Sequence, residues 1–412
     1  MGAPLGLKSL IKHGSRDIYL LMLSMFVRRL SVGFLSVVRP IYLTLIGFDP
    51  LSVGFITTIG SIVNAIQSAL FGVLSDKYGR KIFLAIGGFA SALRFLLYIV
   101  SRDFWILVIA QGIGALGQGV GAGQPVVSGY LADRIKNDAK RTRVFSLIAV
   151  TNAIASSIGS LLAILPVYFQ HVFHLLEMES YVHLFWLGFA FSLASLLLIL
   201  FIKDVKRAPK KEVDKLTVLE SSSLKKIMAY SIVRCTDGLA INLVSSLAPL
   251  YFYLRFGVGS EDLAPVYAIA RFLPVPTYFL APFFINKFGH VKCLVILRIV
   301  SSIFALSLPF TWNFNLAGLI FILYNLSLQF SMPIRQSFAT VIADRFNTGS
   351  LIGISSSLRS FIRSFAPLVT GFFFQISQLY VPFVASASFF LLNALQFHVF
   401  YTEKNSVETR CS

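Results

Sequence analysis

The chain has 412 residues, of which 56% are hydrophobic and only 13% charged, with a formal net charge of +18. A soluble chain of that length needs far more polar surface to cover its core, which excludes a globular enzyme with a greasy patch. Long apolar runs without period-two alternation also exclude a transmembrane β-barrel.

Twelve helical spans are predicted, at roughly 18–46, 52–75, 82–101, 104–131, 144–169, 181–202, 227–254, 262–286, 292–310, 314–342, 350–376 and 378–401. Each is about the length that a ~30 Å hydrocarbon core requires. No small-residue cleavage site follows the first run, so it reads as an uncleaved anchor. Basic residues of the connections fall almost entirely on one side, with Arg102 and Arg255 as the clearest exceptions. Lys8, Lys12 and Arg16 precede the first span, and Lys77, Arg80 and Lys81 join the second to the third. Arg134, Lys136, Lys140, Arg141 and Arg143 join the fourth to the fifth. By the positive-inside rule both termini are cytoplasmic, in a multi-pass protein of the cell membrane. These basic runs lack interleaved aromatics and any nucleic-acid-binding module, so nucleic acid is not an expected partner. Cys235, Cys293 and Cys411 form neither a disulfide framework nor a metal-ligand spacing.

The polar segment "KDVKRAPKKEVDKLTVLESSSLKK" (203–226) reads as a cytoplasmic linker. It divides the chain into a six-helix bundle over 1–202 and a second over 227–412 that ends in a short tail. The halves echo each other in "GYLADRIK" (129–136) and "TVIADRFN" (340–347), offset by 344 − 133 = 211. "SDKYGRK" (75–81) and "INKFGHV" (285–291) place Asp76 opposite Asn286, 286 − 76 = 210 residues on. Pro40 and Pro249 hold like places in the first and seventh spans, 209 apart. Anchors at nearly one offset and in register with the spans indicate a parallel duplication, the plan of some transporters.

"GVLSDKYGRK" (72–81) is the most specific motif. Gly72 permits a close helix approach, and Asp76 ends the span with a negative charge at the membrane surface. Gly79 permits a tight turn before Arg80 and Lys81. "DRIKNDAKR" (133–141) supplies a second set of charges between the fourth and fifth spans. On these motifs, the span count and the central linker, the chain resembles the major facilitator superfamily. That resemblance implies an all-α integral membrane fold of two pseudo-symmetric six-helix bundles. It also implies that Gly72, Asp76, Gly79, Arg80, Asp133 and Arg141 carry a conformational switch, latching and releasing the halves during alternating access. The chain departs from the antiporter pattern at Val108, where such relatives place an arginine before Gln111-Gly112. "TNAIASSIGSLL" (151–162) also lacks the proline of the fifth-span antiporter signature. "GIGALG" (112–117) matches a dinucleotide fingerprint, but six glycines between 112 and 123 within an apolar run read as a close-packed helix interface. No cofactor or metal is expected.

The spans carry Arg28, Arg29, Arg39, Arg94, Arg234, Arg271, Arg298, Arg335, Arg359 and Arg363 against one clear intramembrane acid, Asp237. At 1.5 Å per residue, Arg298 lies ~9 Å from its inner helix end, and snorkelling is the bland reading for it and for Arg28 and Arg29 near theirs. Arg271 and Arg335 lie ~14 Å from the ends of their spans and reach water only through a cavity. Arg29 shares a stripe with Gly33, Ser36 and Pro40. By the resemblance the third, sixth, ninth and twelfth spans are peripheral, which leaves Arg94 and Arg298 outside the cavity. Asp237 has Arg234 one turn away, or Arg28 or Arg29 across the pseudo-twofold, as expected partners. The unpaired guanidiniums make a cationic cavity suited to a carboxylate or phosphate, since Arg presents a matching fork.

The expected substrate-binding residues are Arg29, Arg39, Arg271, Arg335, Arg363, Asn242 and Gln124, with Asp237 as the proton-coupling group. The alternative for the arginines is hydrogen bonding to backbone carbonyls and polar side chains. The expected function is secondary active transport of a small anionic solute, an organic acid or a phosphate-bearing compound, coupled to a proton or another ion. The alternative is proton-driven efflux of amphipathic compounds. Small-molecule substrate, coupling ion and lipid bilayer are the expected partners, and a monomer suffices. An enzyme is not expected, because no metal-ligand cluster and no nucleophile-and-base pair is present.

Overall fold

The computed structural model describes residues 15–115, 123–135, 138–203, 221–346 and 349–405. Among them every regular element is helical. The first half contains α1 (Ser15–Leu45), α2 (Pro50–Tyr78), α3 (Arg80–Val100), α4 (Phe104–Gly114), α5 (Gly123–Arg134), α6 (Asp138–Leu161), α7 (Leu165–Phe173) and α8 (Glu177–Leu200). The second contains α9 (Ser221–Ser245), α10 (Ala248–Phe256), α11 (Ser260–Phe272), α12 (Thr277–Phe288), α13 (His290–Ser307), α14 (Phe314–Phe346), α15 (Gly349–Arg363), α16 (Ala366–Gln375) and α17 (Val381–Asn405).

Nine helical segments among the described residues are long and apolar enough to cross a bilayer, ten if α11 and α12, bent by 46°, form one span. The two remaining expected spans correspond to α4 with α5 and to α15 with α16. Prolines explain most of the breaks. Pro166, Pro249 and Pro367 each stand in the first turn of a following helical piece, where their missing N–H costs nothing. "LPVP" (273–276) separates α11 from α12. Asp103 caps α4, its carboxylate accepting from the backbone N–H of Trp105 (2.9 Å) and Ile106 (3.1 Å).

The duplication read from sequence is visible in the backbone. Four glycines among the described residues have positive φ: Gly47 at 102°, Gly79 at 99°, Gly257 at 67° and Gly289 at 76°. They form two pairs at one offset, since 257 − 47 and 289 − 79 both equal 210. Each pair closes the same connection in its half, after the first span or between the second and third. A side chain there would be strained, so glycine is needed twice at each place.

The compact units do not follow chain order. One comprises residues 1–36 and 63–213, the other 37–62 and 214–412. Residues 37–62, the end of α1 and the start of α2, group with the second half rather than with the rest of the first. Glycine accounts for this. A Cβ on Gly54 would lie 2.6 Å from the Pro367 carbonyl oxygen, and one on Gly371 would lie 2.5 Å from the Pro50 carbonyl oxygen. Thus α2 and α16 meet backbone to backbone.

Inside the first unit, α1 and α6 meet in the same way. A Cβ on Gly159 would lie 2.4 Å from the Leu30 carbonyl oxygen, and one on Gly33 would lie 2.7 Å from the Gly159 Cα. The small stripe below Arg29 is thus a helix contact. Gly159→Leu forces a side chain against rigid backbone and is expected to lower stability by about 1–3 kcal/mol. Thermal unfolding followed by size-exclusion chromatography checks this, and an unchanged melting temperature would contradict the contact.

Candidate functional site

Three guanidinium groups converge on one carboxylate within the second unit. Asp237 stands on α9, with its side chain 3% exposed. Its Oδ1 pairs with Arg298 Nη2 of α13 at 2.6 Å. Its Oδ2 accepts from Arg335 Nη1 of α14 and from Arg359 Nη2 of α15 at 3.3 Å. Arg363 and Arg234 also interact electrostatically with this carboxylate.

Local sequence explains the convergence. A Cβ on Gly238 would lie 2.9 Å from Arg359 Cγ and 3.3 Å from Arg363 Cβ, so the glycine after Asp237 admits the arginine face of α15. Asn242, one turn on, donates to the Arg363 carbonyl oxygen at 3.3 Å. The other side of α9 is held by α17. Asn393 Nδ2 donates to the Val233 carbonyl oxygen (2.7 Å) and to Thr236 Oγ1 (2.9 Å), while Ser386 Oγ donates to the Ala240 carbonyl oxygen (2.6 Å). These bonds fix the rotation of α9 and therefore the direction of Asp237.

Access to the arginines is graded. The Arg298 side chain is fully buried, whereas Arg335 and Arg359 are 14% and 18% exposed. Arg298 also donates to Ser331 Oγ (3.4 Å) and stacks 5.6 Å from the Phe390 ring centroid. Its Nε and Nη1, the Nε of Arg335 and the Nε of Arg359 have no hydrogen-bond partner among the described residues. Tyr230, Arg234, Asp237, Arg335, Phe338 and Phe397 line a small pocket beside the carboxylate.

Three expectations need correction. Arg298 was placed near its inner helix end, free to snorkel on a peripheral span. Instead α14 and α17 seal it, because distance along one helix says nothing about the helices packed over it. Asp237 was given Arg234, Arg28 or Arg29 as partners. Arg234, three residues earlier on the same helix, donates to Ser356 Oγ (3.0 Å) and Tyr230 Oη (3.5 Å), and the Asp237 oxygens go to α13, α14 and α15. Arg28 is only 4% exposed and does not snorkel either.

Of the residues expected to bind substrate, Arg335, Arg363 and Asn242 are drawn together around Asp237. Arg271 of α11 lies over the Tyr267 ring at 5.7 Å. Arg29 and Arg39 are half-buried on α1. The Gln124 side chain lies outside the described residues. Arg359 was counted among the intramembrane arginines but not singled out; the Asp237-Gly238 pair, a charge beside a residue with no side chain, is the signal that points to it.

Three of the expected switch residues, Asp76, Arg80 and Asp133, meet in the other unit. Arg80 pairs with Asp76 (2.7 Å) on its own side and with Asp133 (2.6 Å) of α5. The two charge sets that look separate in sequence are thus one cluster. A Cβ on Gly129 would lie 1.7 Å from Arg80 Nη1, so α5 leaves space for the guanidinium. Gly79 takes φ 99° immediately before Arg80. Arg134 pairs with Asp17 and donates to the Lys203 carbonyl oxygen (3.1 Å), tying α5 to the end of α8. Arg141 lies in the first turn of α6 and is half-buried; the Gly72 position is on α2, its surroundings outside the described residues.

Residues 21–367 match the Major Facilitator Superfamily. The uncharacterized membrane protein YJR124C of Saccharomyces cerevisiae is 21% identical over 92% of this chain and 92% of its own length. The quinolone resistance protein NorA of Staphylococcus aureus is 22% identical over 61% of this chain, and the match spans 62% of NorA. Among solved structures, the nucleoside transporter NupG superposes with a TM-score of 0.73 at 15% identity, covering 93% of this chain and 98% of that one. The human organic anion transporter MFSD10 superposes with a TM-score of 0.63 at 16% identity, covering 93% and 99%.

Proposed function

Because this chain belongs to the major facilitator superfamily, we propose that it is a secondary active transporter that moves a small anionic solute by alternating access. The observation that carries the anionic reading is the charge imbalance at Asp237, where one carboxylate faces Arg298, Arg335 and Arg359. Buried guanidinium donors without partners are costly, and a carboxylate or phosphate satisfies them in pairs. An organic acid or a phosphate-bearing compound is the substrate class that fits. Arg335, Arg363 and Asn242 belong to this binding region, with Arg29, Arg39, Arg271 and Gln124 as further contacts on the transport path.

Asp237 is the proposed coupling group, taking a proton when substrate competes for its arginines. Asp76, Arg80 and Asp133, with Gly72, Gly79 and Arg141, form the switch at the inner surface. The basic connections support cytoplasmic termini, and the plasma membrane is the proposed location.

A panel of small carboxylates and phosphates against sugars, amines and lipophilic cations tests the reading by thermal shift on detergent-purified protein. A ligand at 100 times its Kd stabilises by about 2.7 kcal/mol. An anion is expected to shift the wild type but not Arg335→Ala. A second reading, efflux of amphipathic compounds, is favoured by the similarity to NorA. If only amphipathic compounds shift the protein, and Arg335→Ala responds equally, that reading replaces the first.

A further inference from the structure

The two oxygens of Asp237 are not equivalent. Oδ1 faces Arg298, whose side chain is completely buried, at 2.6 Å. Oδ2 is shared by Arg335 and Arg359, the partly exposed partners. One edge of the carboxylate is therefore sealed, and the other lies across the accessible arginines.

We infer that Asp237 is the resident anion of the substrate seat: its Oδ2 occupies Arg335 and Arg359, the place that an acidic group of the substrate takes, while Oδ1 stays with Arg298. This rests on the anionic reading above and deepens it. Arg335 and Arg359 each keep an Nε without a hydrogen-bond partner among the described residues, beside the bonds they give to Oδ2. One shared oxygen thus leaves the pair under-satisfied. An incoming carboxylate or phosphate brings two or more acceptor oxygens and can take both guanidiniums as forks.

Charge counting narrows the class further. Arg234, Arg298, Arg335, Arg359 and Arg363 set five cations against Asp237, a formal excess of four. A singly charged ligand leaves three uncompensated and a doubly charged one leaves two. In a site of low dielectric the second is favoured, so the seat takes a dianion, a phosphate monoester or a dicarboxylate.

A charge-matched variant separates an occupied seat from a merely positive site. Asp237→Asn/Arg298→Met removes the sealed ion pair as a unit, so the formal excess remains four while Oδ2 no longer competes. Sulfate and phosphate are titrated against nitrate and formate at equal ionic strength, read by thermal shift and by quenching of intrinsic fluorescence. The variant is expected to bind the divalent probes roughly tenfold more tightly than the wild type, within the usual range of coupling between sites. Adding Arg359→Gln to it is expected to remove that gain. Equal or weaker binding in the charge-matched variant overturns the seat. Nitrate or formate binding as well as sulfate overturns the dianion class. Absence of any anion response in both proteins overturns the anionic reading as well.

Discussion

Asp237→Asn is expected to lower folding stability by about 3–5 kcal/mol, and adding Arg298→Met is expected to restore most of that loss. The asymmetry follows from what each change leaves behind. Without Asp237, the Arg298 side chain is fully buried with only Ser331 Oγ, at 3.4 Å, as a hydrogen-bond acceptor among the described residues. A single hydroxyl does not replace an ionised carboxylate around a guanidinium removed from water. Arg335 and Arg359 lose a partner too, but both are partly exposed and water takes part of the bond. Methionine at position 298 suits the surroundings, because a flexible thioether packs well against the Phe390 ring. Unfolding of the purified protein in mixed micelles, for wild type, both single variants and the double variant, gives the coupling directly. Additive losses would mean that Asp237 and Arg298 do not act as one buried pair.

The fold was legible because its signals are local or repeated. Span length and the basic connections mark the helices, and the 210-residue offset that joins Asp76 to Asn286 reappears in the backbone at Gly47, Gly79, Gly257 and Gly289. The site was only half legible. Asp237 stands out as an acid within an apolar run, and Arg335 stands out by depth. Their grouping does not, since α9, α13, α14 and α15 are brought together by packing that no periodicity encodes. Depth along a helix misplaced Arg298 for that reason. Helical spacing favoured Arg234, whereas the rotation of α9 held by Asn393 and Ser386 turns Asp237 toward other helices. Similarly, Asp76 and Asp133 are 57 residues apart in sequence, yet both reach Arg80.

Gly54→Trp is expected to abolish transport while leaving sulfate binding intact. The backbone of α2 at Gly54 already touches that of α16, with a Cβ placed 2.6 Å from the Pro367 carbonyl oxygen and 3.2 Å from Gly371 Cα. No flexible side chain is available to yield, so an indole fits only if the two helices separate. Overpacking of that kind costs about 3 kcal/mol, which disfavours the closed contact by roughly a hundredfold. Gly54 follows the acidic "GFDP" connection, opposite in the chain's charge pattern to the basic loops, so the proposed topology has the contact at the outer surface. In the proposed cycle that contact must form each time the transporter opens inward. Holding it apart blocks the step without touching Asp237 or its arginines. Gly371→Trp, on the other side of the same contact, is expected to behave alike. Gly112→Ala is the control, because a Cβ there meets only Val63 at an ordinary 3.6 Å. Uptake into proteoliposomes, measured beside sulfate binding, separates the outcomes. Full transport by Gly54→Trp would show that the α2–α16 contact does not open and close during the cycle, whereas loss of both transport and binding would place the damage in folding.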